Sequence, residues 1–317
     1  MRKQPRLNPE NLVVHQSVES LRKAVAAEPE GRFLLELVYD SELRAAGPQA
    51  LANEPALANV GALTIDTGGL EPKQLKMLLT SPHFQRLTVL DLSHNFFHDT
   101  GAKLLAAWAP LSKITHLAMS QVGLTSKGLA AVAASPHLGA LRFIDVSRNN
   151  IKSGAGVSAL GAVAAQLERW SLWGNDLGDA GVKAVASSPL MRGKAVNLCR
   201  TMMTKAGLKA LLASPDLSTL EELDISSNHD IGDAGIALIA KAKSLGALRS
   251  LDLRGTGMSD TGAMALAASP ALAELTVLRV LRSGALTEAG IEALQSSSHL
   301  AAAAKRTLEM AELAAPS

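Results

Sequence analysis

A Leu-x-Leu pair, with Ile, Val or Trp standing in for leucine at some steps, recurs at Leu63, Leu90, Leu117, Ile144, Trp170, Val196, Leu223, Leu251 and Leu278. The steps are 27, 27, 27, 26, 26, 27, 28 and 27 residues. This period constrains the fold more than any other feature of the chain. A unit so short cannot close a core alone, whereas stacked copies bury one continuous core. The 317 residues are therefore expected to form one elongated array rather than two globular domains.

Residues 87–113 show how a unit is written. Leu-Thr-Val-Leu-Asp-Leu-Ser-His-Asn alternates apolar and polar residues around Leu90 and Leu92, as a short half-buried strand requires. Phe-Phe-His-Asp-Thr-Gly follows as a turn, and the next segment has helical spacing that ends at Pro110. The punctuation repeats. Thr125, Thr204, Ser259 and Thr287 each stand three residues before a glycine, placed to cap the coming helix. Asp179, Asp233, Asp260 and Glu288 fall in the first helical turn, where the helix dipole favours negative charge. Ser81-Pro82, Ser135-Pro136, Ser188-Pro189, Ser214-Pro215 and Ser269-Pro270 end the helices, because proline disfavours helical geometry in the residue before it. Gly101, Gly128, Gly181, Gly207, Gly235, Gly262 and Gly290 read as positions where helix and sheet pack closely.

Asn95, Asn149, Asn175 and Asn228 each stand five residues after the first Leu-type position. An inward amide there can satisfy main-chain groups left open by the turn and stack with its neighbours as a ladder. Val122, Thr201, Thr256 and Ser283 interrupt that ladder. The pattern Leu-x-x-Leu-x-Leu-x-x-Asn, followed by an amphipathic helix, resembles the leucine-rich repeat. Segments such as Asn228-His-Asp-Ile-Gly-Asp-Ala-Gly-Ile-Ala-Leu are similar to its ribonuclease-inhibitor-like and cysteine-containing subclasses, of bacterial type. The resemblance implies an α/β leucine-rich-repeat solenoid, a horseshoe with a parallel β-sheet on the concave face and helices on the convex face.

Residues 1–31 are expected to form an N-terminal helical cap, with Val14, Val18, Leu21 and Val25 as one apolar stripe. Residues 32–300 then hold about ten units of 26–28 residues, beginning with a degenerate one around Leu35 and Leu37. Residues 301–317, within an Ala-rich tail carrying Leu300, Leu308 and Leu313, form the opposite helical cap.

A net charge of +2 with both signs spread along the chain leaves no footprint for nucleic acid or an anionic membrane. Cys199 is the only cysteine, the first nine residues lack an apolar leader, and no Asn-x-Ser/Thr sequon occurs. A cytoplasmic location is the expectation.

The resemblance places one set of residues on the open concave face: Thr64, Asp91, Ala118, Asp145, Ser171, Asn197, Asp224, Asp252 and Arg279 between the Leu-type pairs. Asp66, Ser93, Ser120, Ser147, Trp173, Cys199, Ser226, Arg254 and Leu281 follow the pairs. Aromatics are 3% of the chain, yet Phe143 and Trp173 both fall on this face, near Arg148, Arg169 and Arg200 and flanked by His116 and Gln121. Trp and Arg commonly anchor interfaces, so these seven residues make the candidate partner-binding patch. The competing reading has Trp173 merely covering a neighbouring strand. Trp170, at a Leu position, belongs to the core.

Other motifs are absorbed by the repeat, and no catalytic, cofactor or metal site is assigned. The Asp91, Asp145, Asp224 and Asp252 row reads as solvated or partner-facing rather than as a general acid and base. His94 and His98 with Asp91 and Asp99 lie in a strand-to-helix turn without a second ligand cluster. Gly255-Thr-Gly257 after a strand imitates a dinucleotide fingerprint, but Asp260 stands where the third glycine belongs. Cys199 is read as a buried or half-buried thiol without a base partner.

The functional expectation is a non-enzymatic scaffold that binds another protein through the concave face. One alternative is a GTPase-activating-like regulator of a small GTPase, which rests on fold analogy and lacks an evident arginine finger. A weaker one is a ubiquitin-ligase-type adaptor, for which 31 N-terminal residues leave little room.

Overall fold

The computed structural model describes residues 12–38, 41–66, 69–152, 154–280 and 285–313. It divides into two units, residues 1–150 and 151–317. The first holds strands β1 (Val13–His15), β2 (Phe33–Val38), β3 (Val60–Asp66), β4 (Val89–Asp91), β5 (His116–Ala118) and β6 (Phe143–Asp145). The second holds β7 (Arg169–Ser171), β8 (Ala195–Asn197), β9 (Glu222–Asp224), β10 (Ser250–Asp252) and β11 (Val277–Arg279). Within each unit every strand pairs in parallel with its sequence neighbour. From β3 onward, each successive pair of strands in a unit is joined by a segment carrying one α-helix, such as His98–Ala106 or Gly232–Ala240. Parallel strands require such a crossover.

The sequence period is the sheet register. Leu63 lies opposite Leu90, Leu90 opposite Leu117 and Leu117 opposite Ile144; in the second unit Trp170 faces Val196, Val196 faces Leu223 and Leu223 faces Leu251. All are buried, with the Trp170 indole N–H donating to Leu190 O at 2.9 Å. A shift by one residue would expose every one of these side chains, so burial itself fixes the register.

Each asparagine bonds main chain of its own and an adjacent repeat. Asn149 Nδ2 donates to Met119 O at 2.8 Å and Val146 O at 2.9 Å, while its Oδ1 accepts from the N–H groups of Val122 and Leu124. Asn228 does the same for Leu198 O, Ile225 O and the N–H groups of Thr201 and Met203. The turns at Val122 and Thr201 are thus served by the asparagine of the next repeat. In return, the carbonyls of Val122, Thr201 and Thr256 accept from the N–H groups of His98, Gly178 and Gly232 in the preceding repeats. Thr201 and Thr256 keep one part of the pattern, their hydroxyls donating to Leu198 O and Leu253 O. Ser283 lies outside the described residues.

The first-turn aspartates also act across repeats. Asp179 Oδ1 accepts from the N–H groups of Thr204 (2.8 Å) and Gly207 (2.9 Å), and Oδ2 from the Thr204 hydroxyl (2.7 Å). Asp99 serves Thr125, Asp233 serves Ser259 and Gly262, and Asp260 serves Thr287 in the same way. Thr125, Thr204 and Ser259 in turn accept from the N–H two residues on, as expected of helix caps, whereas Thr287 makes no such bond. These contacts correct the expectation for the glycines. A Cβ on Gly128, Gly207, Gly262 or Gly290 would stand 2.2, 2.4, 2.6 or 2.4 Å from the Oδ1 of the aspartate of the preceding helix. Those glycines make room for a carboxylate between helices, not for packing of helix on sheet. Gly101, Gly181 and Gly235 instead clear the side chains of Phe97, Leu177 and Ile231.

Helix ends carry a third cross-repeat bond: the hydroxyls of Ser135, Ser269 and Ser297 donate to the carbonyls of Ala106, Ala240 and Ala267. The N-terminal cap departs from expectation. Val13–His15 is a strand beside β2 and only Val18–Ala27 is helical, so Val14 lies on the strand, and Leu21 is the buried residue of the helix. At the other end the helix Ala302–Leu313 covers β11, with Leu300 and Leu308 buried. Thr307 Oγ1 accepts from Leu278 N at 3.1 Å and is 3.0 Å from Leu278 O, blunting a strand edge that could otherwise pair with another chain.

Candidate functional site

The sheet face opposite the helices is more closed than the sequence implies. Ala118, Asp145, Asp252, Ser93, Ser120, Ser147 and Ser226 are all buried. Short side chains one strand spacing apart shield one another, and the acidic ones turn back on their own main chain. Asp91, Asp145, Asn197, Asp224 and Asp252 each accept from the N–H two residues on. Arg254 further clasps Asp252 through Nε (2.7 Å) and Nη2 (2.5 Å). The aspartate row is therefore a set of strand-end turns, not a solvated array. Burial raises Asp91 and Asp224 above the ordinary carboxylate range, with neighbouring acids adding to the effect. Leu281 lies outside the described residues.

One step of the repeat supplies a row of side chains beside this face. His94, Gln121, Arg148, Arg200 and Ser227 have φ of 58, 55, 53, 53 and 57°, in the left-handed region. Gly174 and Gly255, at the same step, have φ of 68°. The conformation is built in, because the N–H groups of His94, Gln121, Gly174, Arg200 and Ser227 each donate to a carbonyl of the next repeat at 2.7–2.9 Å. Left-handed geometry costs a residue with a Cβ roughly 1 kcal/mol, and glycine is the residue it favours. Gln121, Arg148, Arg200 and Ser227 nonetheless occupy it with their side chains exposed.

The other candidate residues are placed as follows. In the first unit His116 and Phe143 are adjacent strand residues, their rings stacked with centroids 5.8 Å apart and an interplanar angle of 26°. In the second unit Trp173 is half-buried and sits directly before Gly174. Arg169 reaches over Ala195 to Glu222, with Nη2 2.6 Å from Oε1, so it presents an ion pair rather than an isolated cation. Both partners are exposed, and such pairs add less than about 1 kcal/mol. Burial pushes the Cys199 thiol up to about 11, which keeps it protonated and unreactive at neutral pH.

His94 Nδ1 meets Asp66 Oδ2 at 2.9 Å. That hydrogen bond raises the imidazole pKa, against the opposing pull of burial. Protonated His94 therefore stabilises the fold below about pH 6.5, and the contribution is lost as pH rises through the raised value. Replacing Asp66 by Asn is expected to lower the midpoint of the His94 titration followed by NMR; an unchanged midpoint would show that the pair does not control it. Among the described residues no group of three or more His, Cys, Asp or Glu is arranged to hold a metal ion, and no helix is long and apolar enough to cross a membrane.

Residues 85–106, 166–186, 216–240 and 248–267 match a family model described as Leucine Rich repeat, each match spanning the strand, turn and helix of one unit. Together with the parallel-stranded architecture, these matches give the chain an α/β leucine-rich-repeat fold. Among solved structures, the chain is similar to the crystal structure of the Rad7 and Elc1 complex in yeast, at 15% identity, covering 90% of this chain and 82% of that one with a TM-score of 0.50. It also matches an internalin, inlF, from Listeria monocytogenes str. 4b F2365, at 17% identity over 78% of this chain and 81% of that one, with a TM-score of 0.38. At 15% identity the likeness to the yeast complex is one of fold.

Proposed function

We propose that this chain is a non-enzymatic scaffold that binds another protein through the sheet face opposite its helices. The observation that carries the reading is the exposed side chains held in left-handed backbone, Gln121 and Arg148 in the first unit and Arg200 in the second, where the fold itself asks only for glycine. Backbone strain retained under exposed long side chains is typical of binding surfaces. His116 and Phe143 add a flat ring pair in the first unit, and Trp173 and Arg169 an aromatic and an ion pair in the second. The yeast structure of similar fold contains a second protein, Elc1, which supports use of this architecture in protein complexes. We also propose a cytoplasmic location and repeats of the ribonuclease-inhibitor-like or cysteine-containing-like subclass, of bacterial type.

Affinity capture from native extract, comparing the wild-type chain with a Trp173→Ala, Arg200→Ala variant, tests the reading. Partner recovery is expected to fall by about thirtyfold, the loss of one interface anchor being worth about 2 kcal/mol. Equal recovery by both proteins would remove this patch from the binding surface. A change in GTP turnover by a captured G protein would favour a regulatory role instead.

A further inference from the structure

Residues 180–215, in the second unit, hold six lysines and arginines and no aspartate or glutamate. Two of the six are matched by acids of the following repeat, Arg192 by Asp216 at 3.2 Å and Lys194 by Glu221 at 3.9 Å. The other four, Lys183, Arg200, Lys205 and Lys209, are exposed and make no ion pair among the described residues. We propose that these four cations, with the exposed Met202, form a docking surface for an acidic segment of a partner protein, one that carries carboxylates beside an apolar side chain.

The repeat brings the cations to one surface. Lys205 and Lys209 stand four residues apart on the helix Lys205–Leu212 and so project from the same side of it. Lys183 lies on the helix Gly178–Ala186, which packs beside that one. Lys183 and Lys209 each follow by 13 residues the paired strand residues Trp170 and Val196, so they hold the same place on adjacent helices. Arg200 and Met202 lie in the turn that leads to Lys205. Acids of the flanking repeats are engaged elsewhere: Asp179 accepts from Thr204 and Gly207, Asp233 accepts from Ser259 and Gly262, and Asp176 lies 4.0 Å from Lys152. Asp230, exposed in the next turn, forms no ion pair among the described residues.

Met202 is 65% exposed, on left-handed backbone with φ of 60°. The same step, six residues after the Leu-type position, is Gly123 and Gly257 in other repeats, with φ of 78 and 72°. There a Cβ would strike His98 Nδ1 or the His229 carbonyl of the repeat before. Ahead of Met202 the place of His98 is taken by Gly178, whose N–H donates to Thr201 O at 3.0 Å and whose own Cβ position has nothing within 4 Å. The thioether is therefore displayed at a strained position with space beside it, while the adjacent Met203 is buried. An apolar centre within a charged rim is the anatomy of a protein interface, and the rim charges steer an oppositely charged partner into place. Four cations fall short of the long basic track that a nucleic-acid backbone demands, and one apolar side chain offers a bilayer little to bury.

The inference rests on the protein-binding reading and shares Arg200 with it, so its test relies on residues outside the Trp173 and Arg200 pair. Fluorescence anisotropy is measured on the full chain with fluorescein-labelled Gly-Ser-Asp-Glu-Leu-Asp-Glu-Leu-Glu-Gly-Ser, against one form with Asn and Gln in place of the acids and another with Ser in place of Leu. Phosphatidylserine-containing vesicles form a separate arm. The acidic peptide is expected to bind at least about tenfold more tightly than its amide form, and to weaken with added salt. Replacing its leucines should cost at least about threefold. Met202→Gly, which installs the residue that Gly123 and Gly257 already provide, should erase that leucine preference with the fold intact by circular dichroism. Lys205→Glu with Lys209→Glu should abolish the preference for acid, whereas Lys103→Glu with Lys127→Glu, an equal change of net charge on helices of the first unit, should leave it unchanged. Equal binding of the acidic and amide peptides, a preference that survives reversal of Lys205 and Lys209, one lost equally in the Lys103 and Lys127 variant, a leucine preference unaltered by Met202→Gly, or binding of vesicles but no peptide would each overturn the proposal. If the acidic peptide shows no preference while partner capture still falls in the Trp173→Ala, Arg200→Ala variant, this inference fails and the protein-binding reading stands.

Discussion

Replacing Asn228 by Ala is expected to destabilise the second unit by about 4 kcal/mol, the largest effect of any single polar substitution in the array. The side chain is 1% exposed and joins Leu198 O, Ile225 O and the N–H groups of Thr201 and Met203. Alanine would leave these main-chain groups buried without partners, each at a cost of about 1–3 kcal/mol before local relaxation. Urea denaturation followed by circular dichroism measures the loss, and hydrogen exchange at Thr201 and Met203 locates it. Thr256→Val is the internal comparison: it deletes one hydroxyl bond, to Leu253 O, and should cost only about 1 kcal/mol. Comparable effects for the two variants would contradict the cross-repeat role of the asparagine.

Asp179 gives the second large effect. Its carboxylate accepts the N–H groups of Thr204 and Gly207 and the Thr204 hydroxyl, so Asp179→Ala strips the start of the next helix of a charged cap, at about 3 kcal/mol. The glycine makes the claim sharper. Gly207→Ala puts a Cβ 2.4 Å from Asp179 Oδ1 and 2.9 Å from Met203 Cγ, the latter on a side chain able to move. Alone it should cost about 2 kcal/mol, but most of that should vanish in the Asp179→Ala background, because the carboxylate that it strikes is gone. Additive costs in the double-mutant cycle would show that the glycine serves another purpose. Asp260 repeats the arrangement, and its bonds from Thr287 hold the carboxyl below the ordinary range. Its share of stability is present above the ordinary carboxylate pKa and is lost as pH falls through the lowered value, whereas buried Asp91 and Asp224, raised instead, act with the opposite sign.

The strand register was open to sequence reading because each Leu-type pair marks one strand, and burial leaves a single alignment. Main-chain pairing within each unit confirms the steps, including 26 residues from Trp170 to Val196 and 28 from Leu223 to Leu251. The cross-repeat bonds were less visible. Asp179 lies 25 residues from Thr204, and local spacing relates it only to the helix it begins. β1 was missed because Val13–His15 carries no Leu-type pair and owes its form to β2 alongside. For the candidate site, Arg148, Arg200 and Gln121 were found as polar residues beside the strands, but not the backbone state that they share. A signal existed: aligned on the Leu-type pairs, they fall in one column with Gly174 and Gly255. A column mixing glycine with long polar residues marks left-handed geometry that some repeats leave bare and others furnish with a side chain.

That column also supplies the most direct test of the central claim, that the architecture belongs to the repeat and the binding surface to the side chains its left-handed step projects. In the variant Gln121→Gly, Arg148→Gly, Arg200→Gly, each residue is replaced by the one that Gly174 and Gly255 already provide at that step. Denaturation and partner capture are measured on the same preparation. The denaturation midpoint should be unchanged or slightly higher, since glycine relieves roughly 1 kcal/mol of strain at each site against its own entropic cost. Partner recovery should fall by at least about tenfold. A protein destabilised by more than about 2 kcal/mol, or one that captures its partner as well as before, would contradict the account.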